Sequence, residues 1–388
     1  MSGSLYLAWR YVVHHRYKSA VLVASITIIL FLPGGLRTLV HQSEAQLAAR
    51  AQATPLLIGK KGSPVELVLN SLYFSADVPE TASYDEVQRV ASSEFAQPIP
   101  LYVRFRSQDS PIVGTTLDYF ALRSLRLADG RQLTRLGDCV LGANVASRRG
   151  LEPGDHVFSS PETVFDLAGV YPLKMRITGI LAPSDSADDD AIFVDVRTTW
   201  VIEGLAHGHD EIQPSETLLR EEGNTVANAS VMQFNEITDE NVDAFHFHGD
   251  PGGFPITAVI AVPPDDKSGT LLMGRYEDPD ERHQILRPAV VMDELLATVL
   301  TVQAFVVAAL SVVGIATLAT AVLVFLLSLR LRRREIETMV KIGGSRSAVT
   351  AVMVSEVVGV LLAGFLLAAF MTWLTAQFGS DMVRALVD

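Results

Sequence analysis

Three long apolar runs dominate the pattern of hydrophobic and polar positions along the chain. Residues 19–36 (18 residues) and 295–329 (35 residues) contain no charged side chain, and residues 347–378 contain only Glu356. At about 1.5 Å per residue, an 18-residue helix just crosses a hydrocarbon core of about 30 Å. The pattern therefore predicts three membrane spans. As a helix the second run would measure roughly 52 Å, so we expect part of it to stand outside the bilayer as a stalk.

The first run has an alternative interpretation as the core of a signal peptide, because Arg10, Arg16 and Lys18 precede it. However, residues 33–37 (PGGLR) form a poor cleavage site and the segment before the run is long, which favours an uncleaved span. Residues 5–13 interleave aromatic, cationic and aliphatic side chains, a composition typical of a helix that lies in the membrane interface.

Between the first two runs, short strand and helix patterns alternate and predict an α+β domain inserted between the transmembrane helices of an all-α membrane part. We expect helices at 43–53 and 64–70, and strands within 55–63 and at 99–106, 174–181, 191–196 and 256–262. In 99–106, apolar Leu101, Val103 and Phe105 alternate with Tyr102, Arg104 and Arg106, as in a half-buried strand. The predicted regions are 1–42 (interfacial helix and first span), 43–294 (inserted domain), 295–329 (second span and stalk), 330–346 (cytoplasmic segment) and 347–388 (third span and short tail).

Composition and charge support this division. The 388 residues are 49% hydrophobic with a net charge of −13, distributed as +4 over residues 1–42, −19 over 43–295 and +2 over 296–388. A large acidic domain between basic membrane segments suits an extracytoplasmic location and argues against nucleic-acid binding. The single cysteine, Cys139, excludes an intrachain disulfide.

The connection between the second and third runs carries four arginines within residues 330–334. The positive-inside rule places this connection, residues 330–346, in the cytoplasm, with the N-terminus inside and the inserted domain and the C-terminus outside. Residues 335–342 have the pattern of a short helix that ends at Gly343 and Gly344. Such a segment either docks another protein or is an ordinary basic stop-transfer loop.

The segment LRLRRREIETMVKIGGSRSAV (residues 329–349) resembles the cytoplasmic coupling segment of ABC transporter permeases of the MacB/FtsX/LolC type. The resemblance implies that this segment contacts a partner ATPase. By position, the residues that carry the expected contact are Arg332, Arg333, Arg334, Glu335, Ile336, Met339, Val340, Lys341, Gly343 and Gly344.

Further segments resemble the same family. Residues 7–22 are similar to its N-terminal opening, and residues 113–133, 139–158 and 175–200 are similar, in order, to the MacB-type periplasmic core domain. These motifs imply a multi-pass protein of the bacterial inner membrane that works as a dimer, with itself or with a related permease, and with a periplasmic adaptor or lipoprotein as a further partner. The family normally has a fourth span. Here the chain is naturally short, is truncated, or receives that helix from another subunit.

The family resemblance implies mechanotransmission, in which ATP hydrolysis in a separate subunit moves the outer domain to export or extract a lipoprotein, peptide or small molecule. Two alternatives remain open. The outer domain could act as a zinc-responsive sensor, or the protein could be an FtsX-like regulator that activates an external enzyme and moves no cargo.

The chain lacks the sequence motifs of common catalytic sites. It contains no Gly-x-x-x-x-Gly-Lys-[Ser/Thr] phosphate loop, no Gly-x-Ser-x-Gly, no His-Glu-x-x-His and no Cys-x-x-Cys. We therefore predict no catalytic residues and no enzyme activity in this chain, with ATP and Mg²⁺ bound by the partner.

Two His-x-His pairs are the candidate metal ligands. His207, His209, His246 and His248 account for four of the nine histidines, and each pair is followed by a carboxylate. Imidazole and carboxylate groups suit zinc, but both pairs could equally be polar loops. Residues 185–190 are a weaker candidate for a calcium loop. Glu356, alone in its apolar run, is expected either to be functional or to serve packing near the interface.

The arginine distribution makes the topology testable. Compartment-sensitive reporters fused after Ala229 and after Gly344 should report opposite sides of the membrane, because only the second position lies in the arginine-rich connection. Activity assays of both fusions check this. Signals from the same side would contradict the predicted orientation.

Overall fold

The computed structural model describes residues 6–387 apart from several segments. The excepted residues are 7–8, 11–12, 15, 76, 161–171, 208–216, 222–223, 228–234, 239, 243–244, 248, 332–336, 339–340 and 342–344. The described part divides into two compact units. One unit combines residues 1–47 and 294–388, and the other comprises residues 48–293.

The described helices and strands follow in chain order. The α-helices are α1 (Arg16–Gln52), α2 (Pro64–Tyr73), α3 (Asp85–Ser92), α4 (Leu117–Leu122), α5 (Ala143–Arg149), α6 (Val196–Ile202), α7 (Asp266–Gly274), α8 (Pro288–Leu331) and α9 (Arg346–Val387). The strands are β1 (Leu56–Lys60), β2 (Ala82–Ser83), β3 (Gln97–Ser107), β4 (Ser110–Thr115), β5 (Leu127–Gly130), β6 (Asp138–Leu141), β7 (His156–Phe158), β8 (Leu173–Leu181), β9 (Ile192–Asp195), β10 (Ala206–His207), β11 (Thr217–Glu221), β12 (Asn224–Ala227), β13 (Asn235–Glu236), β14 (His246–Phe247), β15 (Pro255–Ile256), β16 (Ala258–Val262) and β17 (His283–Leu286).

Three helices of the described chain are long and apolar enough to cross a membrane, which confirms the predicted number of spans. The candidate spans are Ser19–His41 in α1, Pro288–Leu327 in α8 and Thr350–Phe378 in α9. With 44 residues, α8 measures roughly 66 Å, about twice the thickness of a bilayer core. Residues 379–387, expected as a short tail after the third span, continue α9 as helix.

Helices α1 and α9 pack closely at Gly364. A β-carbon added there would lie 2.7 Å from Cγ2 of Ile26, and the Thr27 hydroxyl donates a hydrogen bond to the Gly364 carbonyl at 3.3 Å. At Gly359, the second glycine of this helix, an added β-carbon would meet nothing within 4 Å among the described residues. Of these two glycines of α9, Gly364 is therefore the one that permits a close helix–helix contact.

The other unit is built on a mixed sheet of eleven described strands. Its main order is β13-β8-β6-β9-β4-β3-β16-β1-β17, with β5 and β7 also paired to β8. Both ends of the unit meet in this sheet, because β1 follows α1, β17 precedes α8, and the two strands pair antiparallel with Leu57 opposite Leu286. The chain therefore enters and leaves the sheet at neighbouring points.

The strand expected at 256–262 is two strands. Pro255–Ile256 pairs with β2, whereas Ala258–Val262 pairs with β3 and β1. Thr257 lies between them and is fully buried, with its backbone N–H and its hydroxyl both donating to the Leu101 carbonyl. The periodicity could not show this change of partner, because both halves are equally apolar.

Strand β3 is more buried than its alternating pattern indicated. Leu101, Val103 and Phe105 are buried as expected, but Tyr102 on the opposite face is also completely buried. Helices α3 and α6 pack against this strand. Residues 99–103, which belong to both faces of the strand, are all buried. The expectation of a half-buried strand was wrong there, and from residue 99 to the end of β3 only Arg104 and Arg106 reach solvent.

A buried ion pair fixes the outer end of α1 to the sheet unit. The Arg50 guanidinium donates to both carboxylate oxygens of Asp188, at 2.7 Å from Nη1 and 2.8 Å from Nη2. Its Nη2 also donates to the Tyr119 hydroxyl at 2.8 Å, which in turn donates to Asp188 at 2.8 Å, and its Nε donates to the Leu72 carbonyl. The network thus ties α1 to α2, α4 and the 3₁₀ turn Ala187–Asp190.

Arg50 and Asp188 neutralise each other's charge, and this pairing affects the pKa values of the network. Burial alone would raise the pKa of Asp188, but the hydrogen bonds and the positive charge of Arg50 outweigh it and hold that pKa below its usual value of 3.8. Burial raises the pKa of the Tyr119 hydroxyl, which therefore stays neutral and able to donate. A lowered folded-state pKa means that the stabilisation by Asp188 is complete above pH 3.8 and is lost as the pH falls further.

Replacing Gly364 by valine should destabilise the membrane unit. The added atoms would collide with Ile26, and overpacking of this kind costs about 1–3 kcal/mol. Thermal unfolding of the full chain in detergent micelles measures the effect. Gly359→Val, placed where nothing lies within 4 Å, is the matched control, and an equal loss in both variants would contradict the assigned contact.

Replacing Arg50 by alanine should destabilise the sheet unit by about 3–5 kcal/mol, because Asp188 would keep a buried and uncompensated charge. The control is Lys60→Ala, since the Lys60–Glu80 pair is 42% and 73% exposed and is worth at most about 1 kcal/mol. Denaturant unfolding followed by the fluorescence of the buried Trp200 compares the two. Equal effects would show that the Arg50 network contributes nothing beyond a surface pair.

Candidate functional sites

The connection between the second and third spans bears the predicted coupling residues. Nine of the ten predicted residues lie outside the described residues. These are Arg332, Arg333, Arg334, Glu335, Ile336, Met339, Val340, Gly343 and Gly344. Of the predicted set, Lys341 is described, and it is helical and exposed, as are Glu337 and Thr338. The described residues of the connection therefore place charged and polar groups on an accessible surface.

The two His-x-His segments are brought together by strand pairing. Strands β10 and β14 pair antiparallel, with His207 directly opposite His246 and Ala206 opposite Phe247. His209 and His248 lie outside the described residues. Within the described part of the chain, no group of three or more His, Cys, Asp or Glu side chains could hold a metal ion. The structure thus joins one histidine of each predicted pair by backbone register.

Three carboxylates of the acidic cluster at residues 185–190 are engaged within the protein. Asp188 pairs with Arg50, and Asp189 accepts hydrogen bonds from the backbone of Ser184 and Asp185. Asp190 pairs with Arg148 and accepts from Asn144. These carboxylates therefore shape a turn. Its carbonyl oxygens come so near Gly142 that an added β-carbon there would lie 2.3 Å from the Asp188 oxygen.

Glu356 lines a partly open cavity of the membrane unit. The carboxylate residue is 6% exposed, and the cavity of about 300 Å³ is lined mainly by apolar side chains from α1, α8 and α9. Ser19 and Glu356 are the polar residues of this lining, which also includes Ile26, Phe325 and Val360. The residue therefore sits between helices rather than on the lipid-facing surface.

A second charged cluster, which no sequence pattern revealed, lies next to the start of α8. Glu86 is buried and contacts His283 at 3.1 Å, Arg89 at 3.2 Å and the Tyr276 hydroxyl at 3.1 Å. The hydrogen bond from Arg89 to Glu281, at 2.7 Å, lowers the pKa of Glu281 to about 2. Because its members come from residues 86–89 and 276–283, which are far apart in the sequence, no local motif could have predicted it.

The lone cysteine is not a reactive site. Cys139 is completely buried in the sheet core on β6. Burial, followed by the nearby charge of Asp138, raises the pKa of its thiol. A neutral and inaccessible thiol neither attacks substrates nor binds metal readily.

Comparison with known proteins gives one family match and structural matches that each cover part of the chain. The sequence profile of the MacB-like periplasmic core domain matches residues 20–227. No curated protein matches the chain.

Two solved structures are similar to parts of it at 11% identity. The extracellular domain of the noncanonic ABC-type transporter YknZ from Gram-positive bacteria has a TM-score of 0.33, covering 60% of this chain and 98% of that one. The periplasmic region of MacB from Actinobacillus actinomycetemcomitans has a TM-score of 0.37, covering 66% and 98%.

The family match agrees with the architecture described above. Three candidate membrane spans flank a mixed α/β unit, and the profile extends over the first span and most of that unit. The chain is thus an inner-membrane protein with an extracytoplasmic domain, and a membrane subunit of the MacB/FtsX type of ABC transporter. Since the profile matches more than half of its length, the chain belongs to the family that carries the MacB-like periplasmic core domain.

Proposed function

We propose that this chain couples ATP hydrolysis by a separate ATPase subunit to movement of its extracytoplasmic domain. The cytoplasmic connection at residues 330–346 receives the motion, and the domain at residues 48–293 delivers it. The observation that carries the proposal is the anchorage of α1, because a helix transmits force to a domain only where it is attached to that domain.

Helix α1 supports the proposal because it joins the membrane to the extracytoplasmic domain. It runs from Arg16 to Gln52, through the candidate span, and ends at the buried Arg50–Asp188 pair. An α-helix keeps its rise of about 1.5 Å per residue through its backbone hydrogen bonds, and although Pro33 removes one of them in α1, the helix runs on to Gln52, so displacement at one end reaches the other. The two hydrogen bonds from Arg50 to Asp188 make the attachment resist both pulling and rotation.

Helix α8 supports the transfer of motion from the cytoplasmic connection to the domain. It follows β17 after only Arg287, and β17 is hydrogen-bonded to β1 at the other boundary of the domain. At its opposite end, α8 leads directly into the arginine-rich connection at Leu331. Motion of that connection would thus enter the same edge of the sheet that α1 reaches.

The cargo and the assembly follow from the location of the moving part. A domain outside the inner membrane would act on a lipoprotein, a peptide or a small molecule that is handled there. Two copies, or this chain and a related permease, would carry two ATPase subunits on the cytoplasmic side.

The proposal predicts that the connection docks the ATPase. Glu335→Arg combined with Met339→Asp should abolish co-purification of the ATPase, because the first change reverses a polar contact and the second places a charge in an apolar one. Co-purification from membranes, followed by mass spectrometry and an ATP hydrolysis assay, measures the loss. A photo-crosslinker in place of the exposed Lys341 should attach to the same ATPase.

The matched control is Glu152→Arg with Leu271→Asp, which makes the same kinds of change at exposed positions of the extracytoplasmic domain. This variant should retain the ATPase, and both variants should insert in the membrane. Full retention of the ATPase by Glu335→Arg with Met339→Asp would show that the connection does not dock it.

A further inference from the structure

Strand β17, which leads into the transmembrane helix α8, has few contacts of its own with the sheet. It lies at the edge of the main sheet, where the one described strand hydrogen-bonded to it is β1. All four residues of β17 are only partly buried, whereas four of the five residues of β16 are buried. A single residue, Arg287, separates β17 from α8, so a displacement of α8 would act first on this strand.

A cluster of charged and polar side chains ties β17 and the segment before it to α3. Arg89 donates hydrogen bonds to Glu281 at 2.7 Å and to Glu86 at 3.2 Å. Its guanidinium carbon lies 4.7 Å from the centre of the Tyr276 ring. Nδ1 of His283 lies 3.1 Å from Glu86 and 3.3 Å from Glu281. We call these five residues the α3–β17 cluster.

The α3–β17 cluster is largely removed from solvent. The side chains of Glu86 and Glu281 are 7% and 14% exposed, and Glu281 also accepts a hydrogen bond from the backbone N–H of His283. Hydrogen bonds between charged groups are the stronger kind, and they weaken less where water is excluded. Removing Arg89 would leave two carboxylates without their cation, which is costly for the buried Glu86. The cluster therefore holds the two segments in one arrangement.

Helix α3 connects this cluster to the middle of the sheet. The order of neighbouring strands there is β3-β16-β1-β17, and α3 packs against β3 and β16. The cluster thus links the edge strand to the two strands beyond β1 by side chains of α3. This second attachment is independent of the hydrogen bonds between β17 and β1.

We propose that Glu86, Arg89, Glu281 and His283 are positioning residues that carry motion of α8 through α3 into the centre of the sheet. They would do for α8 what Arg50 does for α1, at a separate place in the domain. This inference rests on the proposed coupling function and names the path by which the motion of α8 enters the domain.

Two spin labels measure this motion in the full complex with its ATPase. The labels replace Tyr17 and Leu271, which are exposed, through cysteine substitutions, and the native Cys139 is completely buried. Double electron–electron resonance of the otherwise unchanged chain should show a shift in the distance between the labels on going from the nucleotide-free to the vanadate-trapped state. Arg89→Gln should lose most of this shift while it retains the ATPase and its ATP hydrolysis.

Val145→Ala is the control for a loss of stability alone. It truncates a completely buried side chain of α5, which lowers the melting temperature, and it lies outside the α3–β17 cluster. This variant should keep the shift. A full shift in Arg89→Gln, or an equal loss of shift in Val145→Ala, would overturn the assigned path. Absence of the shift in the otherwise unchanged chain would contradict the coupling function itself, and the path with it.

Discussion

The attachment of the first membrane helix to the extracytoplasmic domain depends on the buried pair of Arg50 and Asp188. Two charges removed from water are costly unless each is fully hydrogen-bonded. Here the guanidinium donates hydrogen bonds to both carboxylate oxygens, a tyrosine hydroxyl and a backbone carbonyl, and these bonds offset the loss of hydration. The pair thereby specifies one position for the end of α1, because any other would leave a charge buried without its partner.

The surrounding architecture is arranged to present that partner. Asp188 lies in a turn held by Ser186, and Asp189 fixes the same turn from its other side through Ser184. The adjacent strand β9 leads into the sheet core, where Phe193 packs against Tyr119 at 5.6 Å. Burial of apolar surface thus positions the acidic turn, and the acidic turn positions the last residues of α1, which belong to the same unit.

Local patterns predicted what depends on neighbouring residues. Long apolar runs predicted the three spans, and the apolar segments at 174–181 and 191–196 were found as strands β8 and β9. The change of partner at Thr257 was not predictable, because it depends on a hydrogen bond to Leu101, which lies far away in sequence. The same holds for the site residues. The motif of each histidine segment was visible, whereas the opposition of His207 to His246 is a property of the folded chain.

The pairing of β1 with β16 and β17 has a consequence for the order of events during synthesis. Strand β1 ends at Lys60, but its two partners begin at Ala258 and His283. Contacts so distant along the chain form slowly and only after the loop between them closes. The first strand must therefore wait on the far side of the membrane while more than two hundred residues are translated and translocated. Only when β17 has emerged, just before the second span is inserted, can the sheet close, so the domain completes its folding as the chain returns to the bilayer.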